Sequence, residues 1–246
     1  MNILVCISKT PDTTSKISFK SENKEYNPDG ISFIMNPYDE WYALVRAIEL
    51  VEQNGGNVTT ITVGDASNDM IIRKGLAIGA NDAIRIDSNP KEPFEAAFQI
   101  AEASKQKPYD LILLGKETID YNGSILGSIL AELLHLPFIS FATKLELSGK
   151  TFTVTREIEG GEEICQVEGP CVISAAKGMA EQRIPNMKGI MTSKSKPLNV
   201  MAPVAYQNKV EVLTFTLPGE KKGVKMLSPD QMDELVALLH EEAKVI

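Results

Sequence analysis

From residue 3 to residue 134, short apolar runs alternate with stretches of helical period, and no other feature restricts the chain as much. The runs at 3–7, 58–63, 83–86 and 111–114 are almost continuously apolar or β-branched. That is the pattern of strands buried on both faces, as in a parallel sheet. Asn36-Pro37-Tyr38-Asp39-Glu40 predicts a helix start. Asn36 would cap it, Pro37 would take the first helical position, and the two acids would sit at the positive end of the dipole. Trp41, Leu44, Val45, Ile48 and Val51 follow at helical spacing, and Gly55-Gly56 stop the helix. Helices are also predicted over Asp69–Ile78, 93–105 and 124–134. Residues 8–35 read as a polar excursion with a small hairpin. Strands and helices in this order imply βαβ crossovers and an α/β fold with a doubly wound, mainly parallel sheet.

Beyond residue 135 the pattern changes. Runs at 143–147, 152–158, 163–167 and 171–174, separated by turns such as Ser148-Gly149 and Gly160-Gly161, predict antiparallel additions to the same sheet. Residues 176–201 read as a long loop with little apolar periodicity, and 210–217 as a further strand. Ser228-Pro229-Asp230-Gln231 is a capping box opening a last helix with the stripe Met232, Leu235, Val236 and Leu239. The expected division is an α/β domain over 1–200, including the loop 176–201, and a C-terminal arm over 201–246 that packs on a partner subunit. Net charge is −8, from 33 acidic and 25 basic residues, which argues against a nucleic-acid partner. Cys6, Cys165 and Cys171 form no disulfide or metal pattern, so a reducing, cytoplasmic setting is expected. No apolar run approaches the ~18 residues of a membrane span, and the N-terminus reads as a strand, not a secretion signal. His135 and His240 stand far apart, so no metal site is expected.

In open α/β sheets, ligands bind beyond the carboxyl ends of the strands, near the switch in strand order. Four segments should meet there: Cys6-Ile7-Ser8, residues 36–39, Val63-Gly64-Asp65, and residues 115–127. The last reads GKETIDYNGSILG and opens a helix, whose free amides suit an anion. A phosphate site and an ordinary strand-to-helix turn both fit this chemistry. A GxGxxG after the first strand and a GxxxxGK[ST] are both missing, which argues against a nicotinamide site and a P-loop. So are a GxSxG elbow and an HExxH, and the chain is expected to carry no catalytic set of its own. The loop 176–201 holds Met179, Ile184, Met187, Ile190 and Met191 among lysines and arginines, a composition suited to an adaptable partner surface.

Seven segments carry a resemblance that spans nearly the whole chain: ILVCISK, NPYDEW, GKETIDYNG, REIEGGEE, KGMAEQRIPNMKGIM, SKSKPL and the Lys222-Gly223-Val224-Lys225 stretch. Together they resemble the β subunit of bacterial electron-transfer flavoproteins. The resemblance implies a Rossmann-like domain of adenine-nucleotide-binding type, partnered by an α subunit that carries the redox-active FAD. It implies a structural AMP in this chain, or a second FAD in its place in members that bifurcate electrons. Electrons would come from acyl-CoA or related dehydrogenases, as in fatty acid oxidation, and pass to a quinone oxidoreductase. AMP contacts would fall on Cys6, on Asn36, Pro37, Tyr38 and Asp39, on Val63, and on the stretch beginning Asp120, Tyr121, Asn122, Gly123, Ser124, Ile125, Leu126, Gly127. Ile125 stands where the family places Gln, and Gln182 where it usually places Pro. Partner contacts would fall on Met187 and Glu157, with Arg183, Ile184, Pro185 and Ile190 beside Met187. A stand-alone nucleotide-binding or nucleotide-sensing domain is the other reading.

Overall fold

The computed structural model describes residues 1–219 and 223–246, so Lys222 of the Lys222-Gly223-Val224-Lys225 stretch lies outside the described residues. The chain divides into two units, one of residues 1–17 and 27–213 and a smaller one of residues 18–26 and 214–246.

The larger unit is built on a nine-stranded sheet with its helices on both faces, a Rossmann-like doubly wound α/β fold. Its parallel strands are β1 (Asn2–Cys6), β6 (Asn57–Val63), β7 (Asp82–Ile86), β8 (Leu111–Gly115), β12 (Cys171–Ala175) and β13 (Leu198–Met201). β9 (Phe138–Ser148), β10 (Thr151–Ile158) and β11 (Gly161–Glu168) complete it, giving the order β11-β10-β9-β12-β8-β1-β6-β7-β13. Successive residues of β1 feed opposite faces, as the strand period of two requires. Ile3 and Val5 pack with Leu44 and Ile48 of α1 (Asp39–Asn54) and with Ile72 and Leu76 of α2 (Asp69–Ile78). Leu4 and Cys6 pack with Ala97 and Ile100 of α3 (Pro93–Ser104) and with Leu130 of α4 (Leu126–Leu134). The polar excursion forms β2 (Lys9–Pro11), which pairs antiparallel with β5 (Phe33–Met35).

Three expectations are corrected. β12 is not an antiparallel addition: it lies parallel between β8 and the start of β9, and the antiparallel pairs described in this sheet are β9 with β10 and β10 with β11. Residues 176–201 are not an irregular loop, since they form α5 (Met187–Ser193) and the edge strand β13. No strand forms over 210–217.

In the smaller unit β3 (Phe19–Lys20) pairs with β4 (Glu25–Tyr26), and the Phe19 ring stacks on Phe215 with centroids 4.7 Å apart. α6 (Met232–Ala237) starts later than the predicted capping box: Gln231 stands at its N-cap position without a side-chain cap, and of the box only the bond from the Ser228 N–H to Gln231 Oε1, 2.9 Å, forms. The stripe residues Met232, Leu235 and Val236 are exposed. Among the described residues no helix is long and apolar enough to cross a membrane.

Candidate functional site

The sheet grows from β1 through β6 to β7, then restarts at β8 on the other side of β1. A cavity of ≈ 380 Å³ opens at that switch, beyond the carboxyl ends of β1, β6 and β8. Cys6, Ile61, Val63 and Leu114 form its apolar base. The turn after β1 adds Ser8 to Thr10, α1 adds Glu40, and the β8–α4 loop adds residues 115–118, 120, 121 and 123–126. A fourth wall comes from residues 89–93 and from Ala96 and Ile100 of α3.

Glu40 of α1 is a buried carboxyl at the cavity. Its two oxygens accept the Ser8 N–H and the Ser8 hydroxyl, each at 2.7 Å. Burial pushes its carboxyl up to about 8; the Ser8 hydrogen bonds oppose the shift and the Asp120 charge adds to it. Burial also raises Asp39 to about 6, with Lys116 opposing and Glu117 adding. The backbone of β8 comes close enough to α1 that a Cβ on Gly115 would lie 2.8 Å from Glu40 Cγ, so glycine is what lets Glu40 stand at the cavity. Burial, with Glu40 adding, pushes the Cys6 thiol far up, which leaves it an inert wall atom.

The β8–α4 loop is shaped from a distance. Asn36 does not cap α1, which starts at Asp39 with Tyr38 at the N-cap position and no side-chain cap. The fully buried Asn36 amide instead donates to Glu117 O at 3.0 Å and accepts the Ile119 N–H at 3.1 Å. Ser124 donates its hydroxyl to Glu117 Oε2 at 2.9 Å. Tyr38, Asn122 and Ser124 all take positive φ, at 64°, 48° and 52°, so backbone strain gathers around this loop. α4 begins at Leu126, two residues later than expected, and also lacks a side-chain cap. Its first-turn amides therefore stand at the wall made by Ser124, Ile125 and Leu126.

Of the residues singled out from sequence, Cys6, Val63, Asp120, Tyr121, Gly123, Ser124, Ile125 and Leu126 line the cavity. Asn36, Pro37, Tyr38, Asp39, Asn122 and Gly127 are outside its lining. Gly127 instead lies under the Phe138 ring, where a Cβ would meet Cε2 at 2.7 Å. Sequence reasoning missed Glu40, Thr10 and the stretch 89–93. The signal for the last was the turn-rich Asn89-Pro90 at the carboxyl end of a predicted strand.

The segment 176–201 is pinned along its length. Trp41 Nε1 donates to Arg183 O at 3.3 Å, and the Arg183 guanidinium meets Glu52 through two bonds of 2.7 and 2.9 Å. Arg73 Nη1 donates to Ser193 O and Lys196 O, each at 2.7 Å, and Lys196 Nζ to Leu76 O at 2.8 Å. Among the residues this frame presents outward are large apolar ones, Ile184 at 82% exposed and Met187 at 74%, with Ile190 and Met191 beside them, interspersed with the exposed Glu181, Lys188 and Lys194. Pro185 is half-buried. Glu157 is exposed near the end of β10, directly opposite Glu162 of β11.

Residues 26–205 match the electron transfer flavoprotein domain family. The chain is 35% identical over 260 residues to the electron transfer flavoprotein subunit beta of Bacillus subtilis (strain 168), covering 100% of both chains. It is 36% identical over 229 residues to the subunit of that name from Syntrophomonas wolfei, covering 92% of this chain and 90% of the relative. With the human electron transfer flavoprotein subunit beta it shares 30% identity over 256 residues, covering 100% of this chain and 99% of the relative.

Proposed function

Because the chain belongs to the electron transfer flavoprotein β-subunit family, we propose that it is the β subunit of a heterodimer, holding AMP in the cavity at the sheet's switch point. The α subunit of that heterodimer carries the redox-active FAD, so this chain supports electron transfer without reacting itself. The observation that carries the nucleotide assignment is the cavity. Its ≈ 380 Å³ lies near the small end of the ~300–1,000 Å³ common for ligand sites, which suits a mononucleotide better than FAD. Its apolar base suits a purine, and the uncapped first turn of α4 offers amides to a phosphate. Lys9, Lys91 and Lys116 also line it and offset the carboxylates of Glu92, Glu117 and Asp120. AMP supplies shape and hydrogen bonds here, not electrons.

The pinned segment with Ile184 and Met187 on its surface is the docking site for acyl-CoA or related dehydrogenases. A quinone oxidoreductase is the proposed acceptor, and Glu157 the contact toward the α subunit. The test is mass spectrometry of nucleotides released by denaturing the co-purified complex. The expected result is one AMP for each copy of this chain and one FAD for each α subunit. Two FAD without AMP would replace this reading with the bifurcating one. A stable, isolated chain that turns over ATP would replace it with the stand-alone reading.

A further inference from the structure

Helix α3 turns one side to the cavity and another to the chain that passes it on the way to the C-terminus. Pro93, Ala96 and Ile100 line the cavity, and so does Glu92 at the position that precedes the helix. Glu92 is buried, yet its carboxylate takes no part in capping α3. Oε1 accepts the Tyr206 hydroxyl at 2.9 Å and the Lys209 N–H at 2.7 Å, and Oε2 accepts the Val210 N–H at 3.1 Å. Gln99, two turns further along and also buried, exchanges two bonds with Val204: Nε2 donates to the carbonyl at 2.6 Å and Oε1 accepts the N–H at 2.9 Å. The Phe98 ring meets Tyr206 at 5.3 Å, and the Lys209 ammonium lies 5.4 Å from the Phe94 ring centre. Residues 204–210 are thus strapped to α3 by side-chain bonds to their backbone, without any ladder.

Burial alone would raise the Glu92 carboxyl, but the hydrogen bonds from Lys209, Tyr206 and Val210 hold it below the usual glutamate range. It is an ionised group whose partners come from the strap. Loosening the strap leaves a buried charge short of donors, and the group must then move or draw in water. Glu92 and Pro93 are adjacent in sequence and both line the cavity, so such a movement reshapes the cavity wall. The reverse also follows, because coupling between two sites is reciprocal.

We propose that Glu92 is a positioning residue that couples the cavity to the strap 204–210, so that a bound nucleotide and a seated strap favour each other. This rests on the reading of the cavity as a nucleotide site. The test uses the full-length protein after nucleotide removal, with AMP as the probe. Tyr206→Phe and Gln99→Ala alter the strap without touching the cavity lining, and each should weaken AMP binding about fivefold or more, the lower range of allosteric coupling. In the unaltered protein AMP should slow hydrogen exchange at the Lys209 and Val210 amides by more than at amides of β10 far from the cavity, an excess over general ligand stabilisation that a purely structural role for Glu92 does not produce. Wild-type AMP affinity in both variants, with exchange at those two amides unchanged by AMP, overturns the coupling and leaves the nucleotide reading standing. Failure of the unaltered protein to bind AMP overturns both. If neither variant folds, the exchange measurement on the unaltered protein decides alone: no slowing by AMP overturns the coupling.

Discussion

Asn36 and Ile119, 83 residues apart, are joined by a hydrogen bond of 3.1 Å from the Ile119 N–H to the Asn36 side-chain oxygen, while the same side chain donates to Glu117 O. One buried amide therefore holds both ends of a three-residue stretch of the loop whose Glu117 and Thr118 line the cavity. Asn36→Ala leaves a backbone N–H and a backbone carbonyl without that partner. The expected loss is about 1–3 kcal/mol of stability, measured by denaturant unfolding, with earlier release of nucleotide. Asn36→Asp puts a carboxyl at this buried site, facing the Glu117 carbonyl, so its loss should be at least as large as that of Asn36→Ala.

Glu40 gives the protein a specific pH response. Its folded value of about 8 stands above the ordinary 4.5, so the native chain keeps a proton that the unfolded chain has released between those values. Stability should therefore fall as pH rises through that window. Asp39 acts in the same direction, but only between 3.8 and about 6. Between pH 6 and 8 the slope should belong mainly to Glu40, and Glu40→Gln should flatten it. Thermal or denaturant unfolding across this range checks the point; parallel slopes in the two proteins would count against it.

Ile184 and Met187 stand on the surface of the pinned segment. Ile184→Ala and Met187→Ala should leave stability within about 0.5 kcal/mol, as is usual for exposed positions. Either change should weaken dehydrogenase docking, by about 2 kcal/mol if the side chain is an interface anchor. Ile184 is the more exposed of the pair, so its removal is expected to have the larger effect. Titration of each variant with an acyl-CoA dehydrogenase gives the comparison, and unchanged affinity in both would remove the docking assignment.

Gly189 lets α5 lie against α2. A Cβ there would lie 2.4 Å from Ala77 O, a backbone atom that cannot swing aside. Gly189→Ala should push α5 off its seat, at a cost of about 1–3 kcal/mol. The outward side chains stay chemically unchanged, so a parallel loss of docking would show that their placement matters as well as their identity.

The sequence made the first half of the fold legible because strands buried on both faces are written as continuous apolar or β-branched runs, and β1, β6 and β8 follow that rule, while β7 follows it except at Asp82 and Arg85. β12 carries the same signature, all five residues buried, but it follows a hairpin in the chain and so read as another antiparallel strand. β13 left almost no trace. It is four residues long, half-exposed, preceded by Pro197, and owes its strand form to pairing with β7. A cavity does open at the strand ends, lined by three of the four expected segments and not by residues 36–39, and its long-range fasteners were not legible. Asn36 looked like a helix cap because local spacing favours that reading, and only the folded chain brings Glu117 and Ile119 within its reach.

The outer strand β13 carries one more consequence. Residues 176–197 leave the sheet from β12 near its middle and return to it at β13 on its edge, so both ends of the proposed docking segment are anchored in the same sheet. A partner meeting Ile184 and Met187 finds a preformed platform and need not still a wandering loop. Preorganisation of this kind allows recognition through a small contact, and a small contact permits brief residence times. On the proposed docking reading, that is the balance a carrier needs to discharge one partner before engaging the next.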